Sequence, residues 1–169
     1  MKFLKKNLFV LVAALLALVA VIMFCAPAVG VKNHETTYSG FQIIFGYKQS
    51  VLGGARELVV FEFSFMYLLG WLFILLSLLV LVASLFVKKL NIGLIKLLTG
   101  FNLIVGGVFC FLAVPFSQVG QGFESLFAAF GADPKSGLVL SAGAIVAGIL
   151  SFLAGVIVIA EPYLKKLFK

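Results

Sequence analysis

Histidine, cysteine and charged residues are scarce in this sequence of 169 residues. His34 is its one histidine and stands beside Glu35. These two residues fall short of the three or four ligands of a metal site, and no catalytic set can be assembled around them. Cys25 and Cys110 both lie inside apolar runs, which indicates neither a disulfide-stapled domain nor a thiolate metal site. We therefore expect no catalytic residue, no cofactor and no metal.

The low charge content also excludes the usual soluble classes. Charged residues make up 11% of the chain and hydrophobic residues 63%, with a mean hydropathy of +1.24. These values lie far outside soluble globular usage and indicate an integral membrane protein. The net charge of +7 does not indicate nucleic acid, because the basic residues cluster beside apolar runs instead of lining one polar face. The first partner that we expect is the lipid bilayer.

Four apolar segments are long enough to cross a bilayer. A helix rises 1.5 Å per residue and the hydrocarbon core is about 30 Å thick, so a span needs about 20 apolar residues. The segments that meet this length are residues 8–29, 60–87, 97–117 and 138–160. We predict an all-α membrane protein with one domain, residues 1–169, that forms a bundle of four transmembrane helices. Its connections are two outer loops, residues 30–59 and 118–137, and one inner loop, residues 88–96.

The distribution of Lys and Arg predicts the orientation. The side that holds both termini and residues 88–96 has nine basic residues and one acidic residue, whereas the other side has four basic and five acidic. Because positively charged flanks stay in the cytoplasm, we predict a multi-pass protein of the cell membrane with both termini cytoplasmic. The Lys-rich start and Ala26-Pro27-Ala28 also fit a cleavable signal peptide. An apolar run of about 20 residues, longer than the usual 7–15, favours an uncleaved first span.

Small residues recur in these segments at spacings that permit close helix contacts. In the fourth segment Gly143, Ala147, Ser151 and Gly155 recur every four residues, with Gly148 beside them. Helices in lipid associate through such residues and through a few polar contacts. We interpret them as contacts within one bundle, with homo-oligomer contacts as the alternative. The candidate packing residues of the second and third segments are Gly70, Ser77, Asn102 and Gly106.

Two polar residues stand out beside the apolar spans. Glu62 lies at the start of the second segment, where its carboxylate can reach the interface, and a proton or cation site is the alternative. Asn102 lies about one turn into the third segment, and we predict that it forms an interhelical hydrogen bond.

The first outer loop is rich in aromatic and β-branched residues between positions 36 and 47. This composition predicts a small β-hairpin or sheet, with Gly40 and Gly46 at bulge or turn positions and a later turn at Gly53-Gly54. The compatible alternative is that its apolar side chains cap the bundle. The residues that we predict to bind a partner are Tyr38, Phe41, Ile43, Phe45 and Tyr47.

The second outer loop contains an amphipathic pattern. Its apolar residues stand at helical spacing, which predicts an interfacial helix. Asp133 and Pro134 then predict the N-cap and the first residue of the fourth span. The apolar residues of this pattern are Phe123, Leu126, Phe127 and Phe130. Tyr38, Tyr47 and Tyr67 are predicted to belong to an aromatic belt at the same membrane surface.

The arrangement resembles the claudin-like tetraspan topology, with cytoplasmic ends, a long β-rich first outer loop, a short basic inner loop and a shorter second outer loop. The first loop lacks the claudin signature of Trp residues and a Cys pair, so the resemblance does not imply barrier function. Residues 38–47, YSGFQIIFGY, placed after a first span, are similar to those of small four-helix membrane proteins of low-GC Gram-positive bacteria. That resemblance implies no activity.

These observations favour a non-enzymatic structural or interaction protein that uses its outer loops to contact a protein partner or another copy of itself. The alternative is a small transport component, either an oligomeric pore or an accessory subunit of a transporter. We expect no nucleic-acid partner.

Overall fold

The computed structural model describes residues 2–51, 56–87, 93–129, 131 and 133–167. The elements in chain order are α1 (Lys2–Ile22), β1 (Pro27–Val31), β2 (Thr37–Ser39), α2 (Gly40–Phe45), β3 (Tyr47–Val51), β4 (Arg56–Glu62), α3 (Phe65–Phe86), α4 (Gly93–Phe111), α5 (Ala113–Phe116), β5 (Gln118–Val119), α6 (Gln121–Ala129), β6 (Leu138–Leu140) and α7 (Ala142–Leu167). Short 3₁₀ turns, Met23–Cys25 and Pro134–Gly137, follow α1 and precede β6.

Four helices in the described part are long and apolar enough to cross a membrane: α1, α3, α4 and α7. Each contacts two neighbours, in the ring order α1, α3, α4, α7, and the pair α4 and α7 makes the most extensive contact. Both sheets lie at the end of the bundle where α1 and α4 finish, which we name the sheet end. The opposite end, where α1 and α4 begin, is the terminal end. The predicted bundle of four apolar helices with a small β-structure is confirmed.

The bounds of the predicted spans are wrong at the sheet end. Residues 27–29, 60–62 and 138–140 were expected inside spans and lie in strands, while the third span stops at Phe111 and is followed by the short helix α5. Hydropathy does not separate a buried apolar strand from a helix segment. Val60 and Phe61 illustrate the reason, because both are buried completely inside the small sheets, at 0% and 1% exposure.

The bounds are also wrong at the terminal end, in the opposite direction. The third apolar helix begins at Gly93 instead of residue 97, and the fourth continues past residue 160 to Leu167. Both helices therefore include charged residues that hydropathy alone had left outside the spans. The remainder of the predicted inner loop, residues 88–92 with Lys88 and Lys89, lies outside the described residues.

Glycine lets α4 approach both of its neighbours. A Cβ atom added to Gly155 would lie 2.6 Å from the Gly100 carbonyl oxygen, and one on Gly106 would lie 3.0 Å from the Gly70 carbonyl oxygen. Real Cβ atoms do not tolerate the first distance, so α4 and α7 meet backbone against backbone there. Gly148 similarly lies against Phe111, whose ring would be 2.8 Å from an added Cβ.

Serine hydroxyls add polar contacts to the same helix interfaces. Ser151 of α7 donates to the Leu103 carbonyl oxygen at 2.7 Å, and Ser77 of α3 donates to the Thr99 carbonyl oxygen at 3.4 Å. The interhelical hydrogen bond predicted for Asn102 is wrong: its side chain is half-buried and has no hydrogen bond to another described residue. The serines fill this role because their short side chains reach a carbonyl across the narrow contact.

Each small sheet combines strands from both connections at the sheet end. One has the order β2-β1-β6 and the other β3-β4-β5, and all neighbouring strands are antiparallel. β5 and β6 come from the second connection, where no strand was predicted. They are two and three residues long, too short to give an alternating sequence pattern. The two connections are thus held to each other by backbone hydrogen bonds.

The middle of the first connection is a helix instead of the predicted β-structure. Ser39 caps α2 through a capping box, in which Gln42 N donates to Ser39 Oγ at 3.3 Å and Ser39 N donates to Gln42 Oε1 at 2.8 Å. This S-x-x-Q signature was present in the sequence and outweighs the β-branched composition. Gly46 ends the helix with φ +85°, so its predicted turn role is confirmed. Gly53-Gly54 lies outside the described residues.

The amphipathic segment of the second connection forms α6, but its apolar face packs on the protein. Phe127 contacts Gly137, and Gly122 sits against Leu58 of β4. Phe123 packs against the core. Asp133 accepts a hydrogen bond from Lys135 N, with Pro134 at the first position of a 3₁₀ turn, so their predicted place at the start of the fourth span is wrong. They cap the 3₁₀ turn instead of the fourth span, because β6 intervenes before α7.

Candidate functional site

A buried ion pair joins the first turn of α4 to the last turns of α7. Lys96 Nζ lies against Glu161 Oε2, and the two side chains are 15% and 2% exposed. Glu161 is the one buried carboxylate among those that the structure describes; the other described acidic side chains are exposed. An ionisable residue buried in an apolar helix bundle is a functional candidate, and removing two charges from water has a large cost unless they pair.

The positions of both residues follow from the helix bounds at the terminal end. Lys96 is the fourth residue of α4, about 4.5 Å along the axis from its start, and Glu161 lies about 9 Å before the end of α7. Hydropathy placed Lys96 in a loop and Glu161 beyond the fourth span, so sequence analysis missed the pair. Because α4 and α7 run antiparallel, the beginning of one faces the end of the other. That topology was the signal available in the sequence.

A cavity of about 260 Å³ opens beside the ion pair. It is lined by Gly93, Lys96, Leu97, Val158, Ile159, Pro162 and Tyr163. Lys96 supplies its charged side chain, whereas Glu161 is turned inward. Pro162 lies inside α7 and has no N–H to donate to the Val158 carbonyl oxygen. The cavity thus combines one lysine side chain with mostly apolar walls.

The polar residues that sequence analysis singled out lie elsewhere. Glu62 is the last residue of β4, is exposed and pairs in the ladder with Gln118, so its predicted place inside the second span is wrong. His34 and Glu35 are exposed in the turn between β1 and β2. No group of three His, Cys, Asp or Glu in the described part of the chain could hold a metal ion.

The predicted partner-binding residues divide into a buried and an exposed set. Tyr38 and Ile43 are 4% and 0% exposed, Phe41 and Tyr47 are half-buried, and Phe45 is 63% exposed. The buried side chains support the surface from beneath, and Phe45 is the one residue of the five whose side chain is exposed. Their partner-binding role stays a prediction.

An aromatic cluster joins the two sheets beneath this surface. The Tyr38 ring lies 4.9 Å from that of Phe61, edge to face, and 5.7 Å from that of Tyr47. Burial raises the pKa of Tyr38, and the neighbouring Tyr47 phenol adds to the rise. Tyr67 packs on Phe24 with ring centroids 5.3 Å apart and is 1% exposed. Tyr38 and Tyr67 therefore belong to the core, and the predicted aromatic belt is wrong for both.

The predicted packing residues gather on the inner faces of the helices. Gly143 lies against the Pro27 carbonyl oxygen, which would be 2.5 Å from an added Cβ, and Ala147 is 1% exposed. Gly70 sits under the Phe109 side chain.

Cys25 is exposed, Cys110 is buried and both thiols are free. The chain matches no protein-family model, no curated protein and no solved structure.

Proposed function

We propose that this protein is a non-enzymatic, multi-pass protein of a bacterial cell membrane whose sheet end is an interaction surface. The observation that carries this proposal is that strands from both connections are joined in each of the two sheets. Loops that only linked helices would not need this mutual pairing. The pairing costs chain entropy in both connections and holds one surface in a defined shape, as recognition requires.

The distribution of charge supports an outward-facing sheet end. The terminal end receives nine of the thirteen basic residues by its place in the sequence, among them Lys2, Lys5 and Lys96. Basic flanks of short loops remain in the cytoplasm, so the terminal end and both termini are cytoplasmic. The sheet end, with five of the six acidic residues, then faces outward.

The exposed surface around β3 is the part of the sheet end where a protein partner would bind. Lys48, Gln49 and Ser50 are exposed on this strand, which pairs with β4 on one side and with no other described strand. An open strand edge offers backbone donors and acceptors to a partner. Phe45 lies immediately before it and adds apolar area.

Site-specific photo-crosslinking in native membranes tests the proposal. A photoreactive amino acid is placed at Phe45 or at Gln49. Phe152 is the matched control, because it is 43% exposed on the surface of α7 and lies away from the sheets. We expect a discrete protein adduct from the two sheet-end positions and none from Phe152. An adduct of twice the protein's mass identifies a second copy as the partner. Adducts from Phe152 alone would reject the sheet end as the interaction surface.

A small transport component, an oligomeric pore or an accessory subunit, is the second candidate function. The Lys96 and Glu161 pair favours it, because ionisable residues inside spans often mark ion pathways. Ion flux in liposomes that contain this protein alone separates the two proposals. Flux above that of empty liposomes, abolished in Glu161→Gln, would support transport and displace the interaction role.

A further inference from the structure

Two cavities open along the contact between α4 and α7. The first lies at the terminal end, beside the ion pair, and has a volume of about 260 Å³. The second has a volume of about 290 Å³ and is lined by Phe111, Ile149, Phe152 and Leu153. Each is lined by residues of both helices, so together they mark one seam.

Both cavities open on the same side of this seam, away from the axis of the bundle. Leu97 lines the first cavity and Phe111 the second, and these residues stand fourteen positions apart on α4, which returns them to the same helix face. Tyr163 and Ile149 have the same spacing on α7. All four residues are at least 38% exposed, so the seam opens away from the bundle core.

The seam is long enough to cross one leaflet of a bilayer. Fourteen residues of α4 span about 21 Å, and half of a hydrocarbon core is about 15 Å. A lipid whose headgroup lies at the first cavity can therefore extend an acyl chain along the helices to the second.

The two ends of the seam differ in chemistry. Lys96 is the one charged residue that lines the cavity at the terminal end, whereas the second cavity is lined by apolar side chains alone. Glu161 binds the ammonium from inside the bundle and is 2% exposed. An ammonium has three N–H donors, so one carboxylate leaves donors for a ligand on the open side. A molecule with an anionic head and an apolar tail complements this polarity.

We propose that the seam binds one phospholipid with an anionic headgroup, with its phosphate at Lys96 and an acyl chain along the seam toward Phe111 and Phe152. The surrounding charge supports this choice, because nine of the thirteen basic residues lie, by their place in the sequence, in the segments that flank the terminal end. Basic pockets between membrane helices on that side of a bilayer are known binding places for anionic headgroups. Glu161 positions the Lys96 ammonium at the terminal end of the seam.

Native mass spectrometry of the purified full chain tests this proposal. The protein is equilibrated with equal amounts of phosphatidylglycerol and phosphatidylcholine of identical acyl chains. We expect one retained lipid, with phosphatidylglycerol preferred at least fivefold. Lys96→Gln should abolish the preference, and Leu153→Trp, which fills the apolar cavity, should reduce retention of both lipids. Lys32→Gln, an exposed basic residue at the sheet end, is the control and should change neither quantity.

Lys96→Gln leaves Glu161 buried without its ammonium, so Lys96→Gln/Glu161→Gln provides a second variant in which both charges are absent. It should retain lipid without headgroup preference. An unchanged preference for phosphatidylglycerol in this double variant would overturn the proposal. Equal retention of both lipids by the unmodified protein would overturn it as well.

Discussion

Lys96 at the start of α4 and Glu161 near the end of α7 face each other inside the helix contact, and each satisfies the other's buried charge. The pair adds a charged contact to two antiparallel helices that also meet through glycines and through the hydrogen bond of Ser151 to Leu103. An ion pair has one favourable position along the helices and so supports their register. The pair therefore links the packing of the bundle to the chemistry of its terminal end.

Breaking this pair should destabilise the protein strongly. Glu161→Gln leaves the Lys96 ammonium in an apolar contact without its counter-charge, and losses of about 3–5 kcal/mol are typical of such changes. The measurement is reversible unfolding in mixed detergent micelles. Replacing both residues, in Lys96→Met/Glu161→Leu, should restore most of the lost stability because no charge remains buried.

The exposed pair of Lys48 and Glu57 provides a matched control. Lys48 Nζ lies 3.5 Å from Glu57 Oε2, and the two side chains are 64% and 68% exposed. Solvent screens such a pair, so Lys48→Gln should change the unfolding free energy by less than about 1 kcal/mol. Equal losses for Glu161→Gln and Lys48→Gln would contradict the importance of the buried pair.

The contact of Gly155 with Gly100 should not accept even one methyl group. In Gly155→Ala the new Cβ would lie 2.6 Å from the Gly100 carbonyl oxygen, so α4 and α7 must separate. We expect a reduced yield of folded monomer in size-exclusion chromatography. Gly93→Ala is the control, since nothing lies within 4 Å of its Cβ position. An oligomer that dissociates while its monomers stay folded would instead place the Gly155 contact between copies.

The end of α2 should depend on the left-handed backbone of Gly46. At φ +85° and ψ 156° a side chain is strained, and the Phe61 carbonyl oxygen would lie 3.0 Å from its Cβ. Gly46→Ala should cost about 1–3 kcal/mol. Unfolding in micelles measures the loss, and hydrogen exchange should localise it to α2 and β3. Unchanged exchange in both elements would show that the strain is relieved elsewhere.

The sequence indicated the bundle because four apolar runs, each long enough to cross a membrane, can form few structures other than a helix bundle. It could not indicate how those runs divide, since an apolar residue such as Val60 fits a buried strand as well as a helix. It placed Lys96 in a loop because charge lowers hydropathy, although its partner lies 65 positions later. The capping box at Ser39 was readable in the sequence, but the β-branched residues around it led to the prediction of β-structure there.

In the proposed orientation the sheet end of the bundle faces the outside of the cell. This orientation is tested most directly by labelling single cysteines in intact cells with a membrane-impermeant maleimide, in a background without Cys25 and Cys110. Gln49 represents the sheet end and Tyr163 the terminal end, and both are exposed. We predict that Gln49→Cys is labelled in intact cells and that Tyr163→Cys is labelled only after permeabilisation. The reverse pattern would contradict this orientation.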